Sequence, residues 1–269
     1  MPQIKKSGLL LATLGTLWLE LCLLESCLTM MSNQLFQFSI VSALIDGVAS
    51  QGLPMYDLIS YGNFGLGTFR HMVGEMIILD GVVYRMTADG SVFVIENTAY
   101  GKMVTPFAMI THFQPSVTAK CHIQSKAKLS EILSELMTGA RNHYLSFKVH
   151  GNFKGIVVRT VGGQQVPHQS LAELGKKQVS HSFNDIKGTI VGFRSPSFMQ
   201  GISVAGDHMH FISADKKHGG HLLECEAHDE VDLAVAHISS MQLQLPTGDD
   251  DYNQARLKLD AEGISTVEG

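Results

Sequence analysis

The chain has 269 residues, 45% hydrophobic and 17% charged, enough for one large or two small cores and unlike a disordered or collagen-like composition. Its formal net charge is -5, and no Lys/Arg run is denser than Lys176-Lys177 or Lys216-Lys217, so no nucleic-acid partner is expected. Of the four cysteines, none forms a C-x-x-C pair, and Cys121 and Cys225 read as small buried hydrophobes.

The first segment places Lys5-Lys6 before an apolar run from Gly8 to Leu19, in imitation of a secretory leader. Glu20 and Glu25 interrupt it before it reaches bilayer-spanning length, and no A-x-A-like cleavage site follows, so no membrane span is expected. Two readings stay open: an upstream extension before a start at Met30 or Met31, which goes with a cytoplasmic protein, and a leader, which goes with export. Either way, residues 1–30 are set outside the fold.

From Phe36 to Ser50 the apolar spacing drifts from alternation to a helical period, which predicts a strand or turn entering a short helix that ends near Gly47 or Gly52. Met72–Leu79, Val82–Met86, Ser91–Asn97 and Val104–Phe113 are β-branched or aromatic runs. Asp80-Gly81 and Asp89-Gly90 punctuate them, as in an antiparallel meander. Leu129, Ile132, Leu133 and Leu136 recur at helical intervals, so one helix over Leu129–Met137 is expected to join two sheet-rich halves, residues 31–140 and 141–269. In the second half, strands are expected at Tyr144–Val149, Gly155–Val161, Lys187–Phe193, Gly201–Ser213, His221–His228 and Val231–Leu245. A polar-faced helix is expected at His168–Val179, and an acidic break at Gly248–Asp251. The class is α+β and strand-rich, with two twisted mixed or antiparallel sheets, at least one of them a candidate for closure as a barrel, and few helices.

The sharpest chemical signal is Gly206-Asp207-His208-Met209-His210-Phe211, followed by a polar stretch and then Gly219-Gly220-His221. On a strand, His208 and His210 project from one face while Met209 and Phe211 take the other. If the intervening stretch is a hairpin loop, His221 falls across from His210 and a third imidazole joins that face. Three nitrogens with an open fourth position are the donor set of a catalytic divalent cation, Zn²⁺ above all, whereas structural zinc is closed by four protein ligands.

The stretch Gly188 to Leu223, with G-T-I-V-G-F-R-S-P, G-I-S-V-A-G-D-H-M-H-F-I-S and G-G-H-L-L, resembles the alpha-acetolactate decarboxylase family. Upstream, Leu44-Ile45-Asp46-Gly47, Gly67-Thr68-Phe69, Gly74-Glu75-Met76-Ile77-Ile78-Leu79-Asp80-Gly81 and Tyr84 are similar to that family's N-terminal signature. The resemblance implies a zinc ion on His208, His210 and His221, and an arginine, Arg159, meeting the substrate 2-acetolactate together with Thr68. It also implies two glutamates, Glu75 and the C-terminal Glu268, one of which returns a proton as acetoin forms, and a homodimer as the expected assembly. Asp207 stands where that family is expected to carry a larger, often aromatic residue, and Ala205 where it carries proline.

Two other classes share part of the pattern. A cupin-like oxygenase also places H-x-H on a strand, but it wants a glutamate four to five residues after the second histidine, where Ala214 and Asp215 stand. A non-catalytic binding domain of the plants-and-prokaryotes-conserved kind has a similar three-histidine site. That module is about half this length and lacks a counterpart to the half that carries Glu75.

Overall fold

The computed structural model describes residues 33–257; the leader or extension expected at residues 1–30, and Glu268, lie outside them. The first strand, β1 (Gln34–Phe38), runs into a short helix, α1 (Val41–Ile45), at the place where the apolar spacing changes period. The meander follows as β3 (Phe64–Thr68), β4 (Glu75–Leu79), β5 (Val82–Met86) and β6 (Val92–Val94). Its β4–β5 turn is made by Asp80 and Gly81, at φ 53° and 80°, the doubly left-handed geometry that an Asp-Gly pair favours.

Several elements depart from the sequence expectation for local reasons. Strand β3 was not foreseen, because Gly65 and Gly67 dilute its apolar pattern. The stretch Val104–Phe113 breaks at Pro106 into β7 (Val104–Thr105) and β8 (Ala108–Thr111), since proline cannot donate to a ladder. A two-residue strand, β2 (Leu53–Pro54), pairs with β7 and leads into α2 (Met55–Leu58). Strand β9 (Val117–His122) alternates between half-buried and exposed residues and forms an outer strand. The linking helix, α3 (Lys126–Leu136), starts one turn earlier than expected because the Ser125 side chain accepts a hydrogen bond from the Lys128 amide.

In the second half, β10 (Tyr144–Thr160) and β11 (Val179–Ser195) are each 17 residues long and paired along nearly their whole lengths, so the expected shorter strands are parts of these two. The helix expected at His168–Val179 contracts to α4 (Leu171–Gly175), fixed by a capping box between Ser170 and Glu173. Strands β12 (Gly206–Ser213), β13 (Gly219–Ala227), β14 (Glu230–Ile238) and β15 (Ser240–Gln244) follow. The acidic break is itself a turn of helix, α5 (Asp250–Gln254), capped by Asp249.

One sheet has seven strands in the order β15-β1-β8-β3-β4-β5-β6, with only the β1–β15 pair parallel. The other has six strands in the order β11-β12-β13-β10-β14-β9. Its long strands also pair with each other, so the ladder β10–β11–β12–β13 returns to β10. Two strands cross between the sequence halves: β15 completes the first sheet and β9 the second.

The core between the sheets is built from residues such as Leu66, Ile77, Val191, Phe193 and Ile212. A second cluster packs the far face of the six-stranded sheet, with Phe147, Met209, Phe211 and Leu222, under Leu129 and Leu133 of α3. A third, with Met76 and Ile78, covers the outer face of the first sheet. Strand β4 is therefore buried on both faces, which explains its almost unbroken apolar run.

Candidate active site

Alternation along β12 places Met209 and Phe211 in the cluster beneath α3, so His208 and His210 face the first sheet. The polar stretch after them is a hairpin turn. The Ser213 amide bonds His218 O at 2.8 Å, and the Ser213 hydroxyl takes the Lys217 and His218 amides at 3.2 and 3.0 Å. The return strand then sets His221 directly opposite His210. One ligand nitrogen from each of the three rings lies within 4.8 Å of the other two, and all three side chains are buried.

Burial also sets their charge. The pKa of His210 is lowered to about 3, first by desolvation and further by the Arg159 guanidinium. Those of His208 and His221 are pushed well below the usual histidine value, again chiefly by desolvation, with His210 and Arg159 adding to it. The rings are therefore neutral donors at neutral pH, the state a metal ligand needs. His210 Nδ1 lies 2.8 Å from the Met76 carbonyl. A carbonyl can only accept, so that nitrogen carries the hydrogen and Nε2 presents its lone pair to the centre, a backbone version of the outer contact that orients metal-binding histidines. Three buried, neutral, converging imidazoles fit a divalent cation.

Charged groups meet the histidines from both sheets. Arg159, on β10 and 1% exposed, is the register partner of His221. Glu75, at the start of β4, holds one carboxylate oxygen 3.6 Å from Arg159 Nη1 and the other 3.6 Å from His210 Nε2. Thr68, on β3, is the register partner of Glu75, and its hydroxyl donates to the Gly74 carbonyl at 2.8 Å. A small cavity of about 20 Å³ is lined by the polar Thr68, Glu75, His208 and His210 and by the apolar Val41, Leu44, Phe107 and Val204. Gly67 forms part of its floor, where a Cβ would come within 2.4 Å of the Phe107 carbonyl.

Six residues singled out in the sequence, Thr68, Glu75, Arg159, His208, His210 and His221, thus come together. The apolar wall and the Met76 carbonyl were not foreseen as parts of the site. Leu44, Met76 and Val204 lie inside the quoted motifs, but nothing in a motif says which of its apolar side chains, or which backbone oxygen, will face a ligand. Asp207 points away from the site and clamps Arg194, with contacts of 2.6 and 2.7 Å, while the same guanidinium reaches Ser130 and Ser134 of α3. Ala205 keeps an amide that bonds the Gln200 side chain at 2.8 Å, a donor that proline would lack.

Fold and site together define an α+β protein with a three-imidazole metal-type centre held between two sheets. The family profile described as alpha-acetolactate decarboxylase matches residues 35–259. The alpha-acetolactate decarboxylase of Methanosarcina mazei is 36% identical over 224 residues, covering 82% of this chain and 75% of that protein. That of Bacillus subtilis strain 168 is 33% identical over 240 residues, covering 88% and 91%. The crystal structure of the Bacillus subtilis strain 168 enzyme superposes with a TM-score of 0.82 at 32% identity, covering 88% of this chain and 99% of that one. The chain belongs to the alpha-acetolactate decarboxylase family.

Proposed function

We propose that this protein decarboxylates 2-acetolactate to acetoin and CO₂, with a zinc ion held by His208, His210 and His221. The observation that carries the reading is the joining of three neutral, buried imidazoles to an arginine–glutamate pair, beside a small cavity lined by His208, His210 and Glu75, in a chain of this family. Imidazole donors suit several transition metals, and zinc is favoured where three protein ligands leave a position for substrate. When bound, the ion supplies a Lewis acid that makes the substrate's ketone a better acceptor of electrons.

In the reaction, the bond between C2 and the carboxylate breaks, its electron pair passes toward the neighbouring ketone, CO₂ departs, and a proton added at C2 completes acetoin. Arg159 orients the departing carboxylate through its paired donors, which lysine cannot imitate. Thr68 lines the cavity and, while its hydroxyl donates to the Gly74 carbonyl, that oxygen keeps acceptor capacity suited to the substrate's tertiary hydroxyl. Glu75 sits between Arg159 and His210, where a carboxyl group can return the proton to one face of C2. Glu268 is the second candidate donor. The Leu257 amide is tied to Asp46 at 2.8 Å, just beyond the helix whose Val41 and Leu44 line the cavity. Glu268 follows eleven positions later in the sequence.

The expected homodimer finds support at the outer strand β6, whose Phe93 and Val94 are 53% and 50% exposed beside a sheet edge that no further strand among the described residues covers. No helix among the described residues is long and apolar enough to cross a membrane.

The test is a coupled assay on purified protein loaded with one zinc per chain. It should release CO₂ from racemic 2-acetolactate and form acetoin, while His208→Ala should not. Metal-replete protein that leaves acetolactate untouched would overturn the reading.

A further inference from the structure

The apolar half of the site cavity is carried by two segments that brace each other. Val41 and Leu44 come from α1, and Val204 from the loop that precedes β12. The Val41 and Ser42 amides donate to the Ile202 and Gly201 carbonyls at 3.0 Å each, which joins the helix to the loop. Gln37, fully buried on β1, donates to the Ser39 and Ile202 carbonyls at 2.8 Å each and accepts from the Ser203 hydroxyl at 2.5 Å. The Tyr144 hydroxyl reaches Ser203 from β10 at 2.9 Å, and the Ala205 amide is held by Gln200. Hydrogen bonds thus pin the residues on both sides of Val204, and its side chain, 4% exposed, cannot retreat without breaking a buried polar network.

A rigid apolar wall facing polar groups sorts a ligand by its alkyl parts. The oxygens of a 2-hydroxy-3-oxo acid belong with Thr68, Glu75 and the histidines, which leaves its alkyl groups to the apolar lining of Val41, Leu44, Phe107 and Val204. We propose that Val204, backed by the Gln37–Ser203–Tyr144 network, sets the largest alkyl group that the substrate carries at C2, a methyl fitting against it and an ethyl meeting its γ-methyl groups. This inference rests on the decarboxylase reading above and extends it to the class of acid preferred.

The experiment compares kcat/KM for 2-acetolactate and for its homologue with an ethyl group at C2, in zinc-loaded wild type, Val204→Ala and Val204→Ile. A single methylene at a fitted wall discriminates by about tenfold or more. Wild type should therefore favour the methyl acid, Val204→Ala should reduce that preference by about tenfold, and Val204→Ile should widen it. Metal content and the thermal midpoint, followed in parallel, separate a change of fit from a loss of fold. If Val204→Ala does not fold, the Ile variant carries the test. A preference that stays within twofold of wild type in a folded, zinc-loaded variant overturns the role of Val204. Wild type inert toward both acids overturns the decarboxylase reading itself and the inference with it.

Discussion

Acid should unfold the metal-free protein through its three histidines, and the size of the effect follows from their burial. His210 has a pKa of about 3 in the folded protein against 6.5 for an ordinary histidine. The unfolded chain therefore binds protons that the folded one refuses, and stability rises with pH across the interval between the two values. It is fully present above pH 6.5 and lost as pH falls toward 3. Between pH 7 and pH 5, linkage makes the loss about 2 kcal/mol for His210 alone. His208 and His221 shift in the same direction and add to it. In a chain of this size, 2 kcal/mol lowers the thermal midpoint by about 4–8 °C. The assay is thermal or urea unfolding of chelator-treated protein at half-unit steps from pH 7 to 5, alongside His210→Gln, which should show a shallower slope. Equal midpoints at pH 7 and pH 5, or the same slope in wild type and His210→Gln, would refute the claim that these rings are buried and neutral.

Zinc at a hundredfold excess over its Kd should raise the unfolding free energy by about 2.7 kcal/mol at pH 7 and progressively less in acid, where protons compete for the same nitrogens; calorimetry with and without the ion measures it. Arg159→Lys should cut kcat/KM for acetolactate by about a hundredfold, since the paired donors are lost though the charge stays; steady-state kinetics on zinc-loaded enzyme decide it. Asp207→Ala should cost about 3 kcal/mol in urea unfolding, because it removes the carboxylate that offsets the charge of the mostly buried Arg194 guanidinium and leaves it only the Ser130 and Ser134 contacts, while stoichiometric zinc binding remains. Cys225, its thiol pushed up to about 12 by burial, should resist iodoacetamide in the native protein and react after denaturation, as read by peptide mass spectrometry.

The sequence by itself determined the parts whose geometry is local. Alternation put His208 and His210 on one strand face, a polar hairpin returned His221 opposite His210, and Asp80-Gly81 turned β4 into β5, because strand period and turn chemistry act over a few residues. The merging of short predicted strands into β10 and β11 was not legible in the same way, since each takes its bounds from its ladder partners, whereas the weak pattern of β3 and the break at Pro106 have local causes, two glycines and a residue that cannot donate to a ladder. The site divides along the same line. Its ligand residues stand in recognisable motifs, whereas the contact of Met76 O with His210, the seat of Glu75 between Arg159 and His210, and the wall of Val41, Leu44, Phe107 and Val204 exist only because one sheet packs on the other. Residues more than a hundred positions apart become neighbours through the burial of both inner faces, a long-range balance of packing and desolvation that no short window of sequence contains.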